Sequence, residues 1–242
     1  MTAIVSAQGL TRVYGEGGAT VTALDGIDVN FPRGAFTAIM GPSGSGKSTL
    51  MHLLAGLDTP TEGKVVIDGV DITSLSEKKL TLLRRETIGF VFQFFNLLPM
   101  LTAKENILLP LTIAGEKPDG GWFDDLVTQI GIGDRLTHRP AELSGGQQQR
   151  VAIARALMAR PTVIFADEPT GNLDSTTSAE ILQLVRQSVD SYGQTTVMVT
   201  HDARAAEMAD HVLFLGDGRI VKEMPRSSAH DILVAMEELK IG

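Results

Sequence analysis

Residues 41–49 read Gly41-Pro42-Ser43-Gly44-Ser45-Gly46-Lys47-Ser48-Thr49 and fit the pattern G-x-x-x-x-G-K-[ST] at every position. Before them, Phe36-Thr37-Ala38-Ile39-Met40 is apolar and reads as a buried strand. After them, Leu50 to Ala55 reads as a helix that starts near Lys47. Strand, glycine loop, helix is the order in which such a loop holds phosphate. The glycines allow backbone angles that turn successive N–H groups inward around an anion. The helix start adds unpaired N–H groups and the positive end of its dipole. Lys47 would reach the β- and γ-phosphates, and the Ser48 hydroxyl would be a ligand of Mg²⁺, a cation that prefers oxygen. A flexible Gly/Ser linker would show neither the flanking strand nor the fixed Lys-Ser pair.

Composition bounds the rest. The chain of 242 residues suits one large α/β domain or one domain with an inserted subdomain. Apolar residues make up 43%, enough for a sizeable core, and the net charge of −8 argues against a nucleic-acid partner. The absence of cysteine excludes disulfides, thiolate catalysis and Cys-type zinc sites. Residues 1–10 lack the basic start and apolar run of a targeting segment. The richest apolar runs, such as Ile107–Ile113, fall short of the ~20 residues that span a bilayer. Any membrane role is therefore expected to come through another chain.

Along the chain, strands are expected at Ile4–Leu10, Val21–Phe31, Phe36–Met40, Lys64–Ile67 and Ile88–Phe92, with a hairpin signal at Asp68-Gly69 and a Ser76-capped helix to about Arg85. Residues 94–160 show helical periodicity and no convincing strand. There, Thr102 and Glu105 form a capping box, a helix spans Trp122–Ile130, and another starts at Ser144. Strand Val163–Asp167, helix Thr176–Ser191, strand Thr195–Thr200, helix Ala203–Ala209, strand Val212–Leu215, a last short strand and a terminal helix over 229–239 follow. Strands alternating with helices imply a parallel sheet. The division expected is a core of residues 1–93 and 161–242 with a helical subdomain, 94–160, inserted.

Several residues fall where an open parallel sheet places ligands, beyond the carboxyl ends of strands. Asp167-Glu168 closes one strand: Asp167 can hold Mg²⁺ through water, and Glu168 can polarise an attacking water. In other company the pair would read equally well as a helix cap. Gln93 ends another strand, where its amide could hold Mg²⁺ or the water. His201 follows a third and is placed to contact the γ-phosphate. Leu143-Ser144-Gly145-Gly146-Gln147 forms a second glycine-bearing helix start, with bare N–H groups at Gly145-Gly146. One nucleotide has one γ-phosphate, already held by Lys47. A second sensor on a different subdomain makes sense for a nucleotide bound to another copy. Asp174 could bridge subunits, and Tyr14 could stack on adenine.

Taken together, Gly41–Thr49, Leu143–Gln147 between that loop and Asp167-Glu168, and His201 make the chain similar to the nucleotide-binding subunits of ABC transporters. The likeness runs from Tyr14 to His201. It implies an α/β P-loop NTPase core with a mainly parallel sheet, an N-terminal antiparallel β part and an inserted helical subdomain. It also implies ATP and Mg²⁺ as ligands, and two copies closing head-to-tail so that Ser144, Gly145, Gly146 and Gln147 of one face the phosphate loop of the other. Pro169-Thr170-Gly171-Asn172-Leu173-Asp174 and Phe92-Gln93-Phe94-Phe95-Asn96-Leu97-Leu98-Pro99 resemble the branch of lipoprotein-release, macrolide-export and cell-division ATPases. That branch implies a bacterial protein held at the cytoplasmic face of the membrane by a permease, expected to dock near Phe94–Leu101.

Three functions fit these residues: a transport ATPase, a mechanotransmission regulator of cell division or cell-wall hydrolysis, and a soluble ABC ATPase of DNA repair or translation. The third normally needs a long coiled coil or a second cassette, and neither is present. The cargo, its direction and the permease are not written in this chain.

Overall fold

The computed structural model of the chain describes residues 3–15 and 20–241. Its strands form two sheets. The first is antiparallel, in the order β2-β1-β4-β5, built from β1 (Ala3–Tyr14), β2 (Val21–Pro32), β4 (Glu62–Ile67) and β5 (Val70–Asp71). The second has the order β10-β9-β3-β8-β7-β6, from β3 (Phe36–Met40), β6 (Ile88–Phe92), β7 (Val163–Asp167), β8 (Thr195–Val199), β9 (His211–Gly216) and β10 (Arg219–Pro225). All its pairings are parallel except β9 with β10.

The central strands are apolar almost without interruption because both faces of the parallel sheet are covered. Side chains of one strand alternate between the two sides. Ile39, Phe165, Val197 and Val199 point to one side, where they pack with Val5 and Val65 of the antiparallel sheet and with Leu50, Met51 and Leu53 of α1 (Lys47–Leu54). Ala38, Met40, Ile164, Ala166 and Met198 point to the other. They meet α3 (Ala103–Ala114), α4 (Gly120–Ile130), α5 (Gly145–Met158) and α6 (Ser175–Tyr192). Helix α2 (Glu77–Thr87) lies before β6, α7 (Ala203–Ala206) before β9, and α8 (Ala229–Ile241) ends the chain. Among the described residues no strand lies between β6 and β7, and no helix is long and apolar enough to cross a membrane.

Three local expectations are corrected. β1 does not stop at Leu10 but continues to Tyr14 against β2, pairing Arg12 with Leu24 and Tyr14 with Val21. A register shift at Gly9, whose φ is 56°, breaks the alternation that would have revealed the extension. Ser76 stands at the N-cap of α2, but its side chain makes no cap hydrogen bond. Helix α7 has four residues rather than the seven expected over Ala203–Ala209. By contrast, the Thr102–Glu105 capping box is formed in both directions.

Candidate functional site: a phosphate-loop cleft at the strand ends

The loop 41–46 leaves the end of β3 and enters α1. Gly41 and Gly46 are glycines because nothing else fits. A Cβ on Gly41 would come 2.1 Å from the Leu215 carbonyl oxygen, and one on Gly46 would come 2.4 Å from that of Ala23. Both positions also have positive φ, at 153° and 101°. Gly46 is the N-cap of α1 and supplies no capping side chain. The N–H groups of Gly44, Gly46, Lys47 and Ser48 have no intrachain partner among the described residues. They form a row of donors at the positive end of a helix dipole.

Ser43, Gly44, Gly46, Lys47, Ser48, Thr49, Asp167 and Glu168 line one open cleft of about 300 Å³. The Lys47 ammonium donates to the carbonyls of Gly41 and Pro42, at 3.0 and 2.8 Å. Burial pushes its pKa down, against the attraction of Glu168 and Asp167. Burial likewise pushes Asp167 above the ordinary carboxylate range; His52 and Lys47 pull it back, and Glu168 adds to the rise. The cleft therefore holds an ammonium and a carboxylate, each costly to keep charged alone. Ser45, beneath the loop, is buried, and its hydroxyl has no partner among the described residues.

Glu168 adopts a φ of 47°, uncommon for a side chain of its size. Its N–H donates to the Val199 carbonyl at 2.9 Å, which ties the end of β7 to β8. Its carboxylate lies 2.8 Å from Nδ1 of His201. A carboxylate only accepts, so Nδ1 carries the proton and Nε2 faces outward on a ring that is 74% exposed. Nε2 thus accepts from neighbours while the ring is neutral and donates once it is protonated.

The other expected residues lie around this cleft rather than in it. The Gln93 amide donates to Asn172 Oδ1 at 3.2 Å, and Asn172 donates back to the Gln93 carbonyl at 3.0 Å. The side chain is thereby held against Gly171, outside the cleft lining. Tyr14 donates to Asp58 at 2.9 Å, and the Arg12 guanidinium lies 4.5 Å from its ring centroid, so one face of the ring is already covered. Asp174 caps α6, accepting from the N–H groups of Thr176 and Thr177 and from the Thr177 hydroxyl at 2.6 Å. Those bonds, with the hydroxyl's first, hold its carboxyl below the usual range.

Ser144, Gly145, Gly146 and Gln147 open α5. Ser144 accepts from the Gln147 N–H, and the Gln147 side chain accepts from the Ser144 N–H, a closed capping box. The N–H groups of Ser144 and Gln147 are thereby occupied, and those of Gly145 and Gly146, the two expected to be bare, are left. None of the four residues lines the cleft. Sequence reasoning passed over Arg12, Asp58, Asn172 and Thr177. Arg12 and Tyr14 sit two apart on one strand and so share a face, a signal that was available. The others act through contacts far along the chain and left no local mark.

The fold and the site define a phosphate-loop nucleotide-binding protein of the doubly covered parallel-sheet kind. Residues 24–171 match the family model described as ABC transporter, and the chain belongs to that family. It is 46% identical to the lipoprotein-releasing system ATP-binding protein LolD of Legionella pneumophila, over 90% of this chain and 96% of that one. It is 47% identical to the macrolide export ATP-binding/permease protein MacB of Marinobacter nauticus, over 91% of this chain but only 34% of the relative, so it spans about a third of that longer protein. Among solved structures it resembles a dimeric post-hydrolysis state of the ATP-binding cassette MJ0796 bound to ADP and Pi. The TM-score is 0.82 and the identity 41%, with 93% of this chain and 99% of that one covered.

Proposed function

We propose that this chain is the ATP-binding and ATP-hydrolysing subunit of a membrane ABC transporter, working as a head-to-tail dimer beneath a separate permease. The observation that carries this reading is the separation of two anion sites. Ser43, Gly44 and residues 46–49 line one cleft with Asp167 and Glu168, while Ser144–Gln147 lies outside it. A second copy would bring its Ser144–Gln147 to the γ-phosphate of an ATP seated on the phosphate loop. The groove of about 820 Å³ along the start of α6, bordered by Glu168, Leu173 and His201, would lie in the same interface. Asp174 would then face the partner, and the open face of the Tyr14 ring would take adenine.

Roles follow from the chemistry of each group. Lys47 and the loop N–H groups bind the phosphates. Glu168 orients the attacking water, and His201, oriented by Glu168, would donate to the γ-phosphate through Nε2 as the doubly protonated ring. Ser48 would offer Mg²⁺ its hydroxyl oxygen and Asp167 would hold the ion through water, an all-oxygen set that fits it. The ion would offset charge on the phosphates. Gln93 would join these ligands after releasing Asn172. Phosphate loss could then turn the helical part, 94–160, against the core formed by 1–93 and 161–242.

The segment 94–101 is the proposed permease contact: Phe94 and Met100 are 73% and 76% exposed. Buried Asn106 braces it, bonding to Leu98 and Leu101. Arg155 donates to the carbonyls of Phe95 and Asn96, which both have positive φ. Similarity to LolD and MacB favours transport over the regulatory reading.

The test is a Glu168→Gln variant. It should bind ATP, elute as a dimer only with ATP present, and hydrolyse about 10²–10⁴-fold more slowly than the wild type. Wild-type turnover by this variant, or a strictly single chain under saturating ATP, would refute the reading.

A further inference from the structure

Gly146 is the second residue of α5, and its backbone is helical, not left-handed. Helix propensity would favour alanine there, so neither backbone angle nor propensity accounts for glycine. Space does. A Cβ at this position would lie 2.5 Å from the Thr177 methyl, closer than carbon atoms approach. That methyl cannot simply swing aside. Thr177 is β-branched, and its hydroxyl is bound to Asp174 at 2.6 Å, so turning χ1 would break that bond. Gly145 differs: its Cβ would meet only the end of the Leu173 side chain, at 3.3 Å, and Phe95 at 3.6 Å.

We propose that Thr177 is a positioning residue. Its methyl seats the start of α5 and its hydroxyl holds the Asp174 cap, so the Ser144–Gln147 segment and the Asp174 loop move as one piece. Gly146 is then glycine because of a contact within its own chain. The functional consequence rests on the reading above, in which Ser144–Gln147 serves the ATP of a second copy. A requirement for bare backbone against the partner's phosphate would act on Gly146 whatever stands at position 177. The contact proposed here does not: without the methyl, a Cβ on Gly146 would meet only Thr177 Cβ and Oγ1, at 3.8 and 3.9 Å.

The experiment compares Gly145→Ala, Gly146→Ala, Thr177→Ser and the double variant Gly146→Ala/Thr177→Ser in the full chain. ATPase rate, thermal midpoint and, in the Glu168→Gln background, ATP-dependent dimerisation are read for each. Gly146→Ala should slow turnover roughly 10–100-fold, the scale of a misplacement near 1 Å. Gly145→Ala should cost less. The double variant should return to the rate and dimerisation of Thr177→Ser, a non-additive pair of neighbours. If Gly146→Ala fails to fold, recovery of folding and turnover in the double variant makes the same point. A double variant no better than Gly146→Ala overturns the proposal, as does a Gly146→Ala variant with wild-type turnover. Should the wild type neither hydrolyse ATP nor dimerise as Glu168→Gln, the functional reading has failed instead. The steric contact is then still judged by whether Thr177→Ser restores the thermal midpoint lost in Gly146→Ala.

Discussion

Two of the glycine-bearing helix starts, those of α1 and α5, are built in opposite ways. At α1 the cap is Gly46, which offers no side chain, so the first N–H groups point into a cleft already lined by Asp167 and Glu168. At α5 the cap is Ser144, and Gln147 closes the box behind it, so the helix is locally satisfied. The first start depends on an anion to use its donors. The second is stable by itself and presents only Gly145 and Gly146. In the proposed dimer the first start would bind nucleotide in its own chain and the second would read nucleotide on another copy, and the two caps suit those different needs.

The sharpest way to break this comparison is to disable each start in turn and measure ATP binding to the single chain by calorimetry. Lys47→Ala should weaken binding by about 2–5 kcal/mol, the usual loss when one partner of a buried charge pair is removed. Gln147→Ala should leave single-chain affinity where it was and lower only dimerisation and turnover. Equal losses from both would erase the distinction.

A smaller effect sharpens it. Ser144→Ala should cost about 1 kcal/mol of stability, because a cap is lost. Gln147→Ala should cost less, and the double variant should fall short of the sum, because box partners share one interaction. Chemical denaturation reads all three. Strict additivity would mean that the box is not formed in solution.

The smallest effect concerns charge. Burial raises the Asp167 pKa in the folded chain, so the unfolded chain releases that proton at lower pH. Between the two values the unfolded state binds fewer protons, and stability falls as pH rises through that window and stays lower above it. Asp167→Asn should therefore melt about 1–2 °C higher than the wild type near neutral pH. That advantage should fade as pH drops toward the ordinary aspartate range, and hydrolysis should be impaired throughout. A variant that melts lower than the wild type at neutral pH would show that Asp167 is stabilised by its attraction to Lys47 rather than strained by burial.

Much of this was legible without coordinates. The strand before the phosphate loop, the strand before Asp167-Glu168 and the capping box at Thr102 are local patterns. Their residues are neighbours in sequence, and the physics that shapes them acts over one turn or one strand. Even the boundaries of β3 and β6 fall where apolar runs begin and end, and β7 goes one residue past its run to Asp167. What failed locally was β1 beyond Leu10, where the shift at Gly9 hid a strand held by its partner, and the short α7, whose alanines fit a longer helix.

The sequence by itself determined where the phosphate loop, the acid pair and the second helix start lie, since each is specified by adjacent residues and a fixed backbone course. Only the tertiary structure decided what those groups touch. It turned Gln93 to Asn172, 79 positions away, tied Tyr14 to Asp58, 44 positions away, and set Gly146 against the Thr177 methyl. Such contacts depend on how strands order and helices pack, and no window of neighbouring residues encodes the distance between two side chains that meet only after the chain has closed.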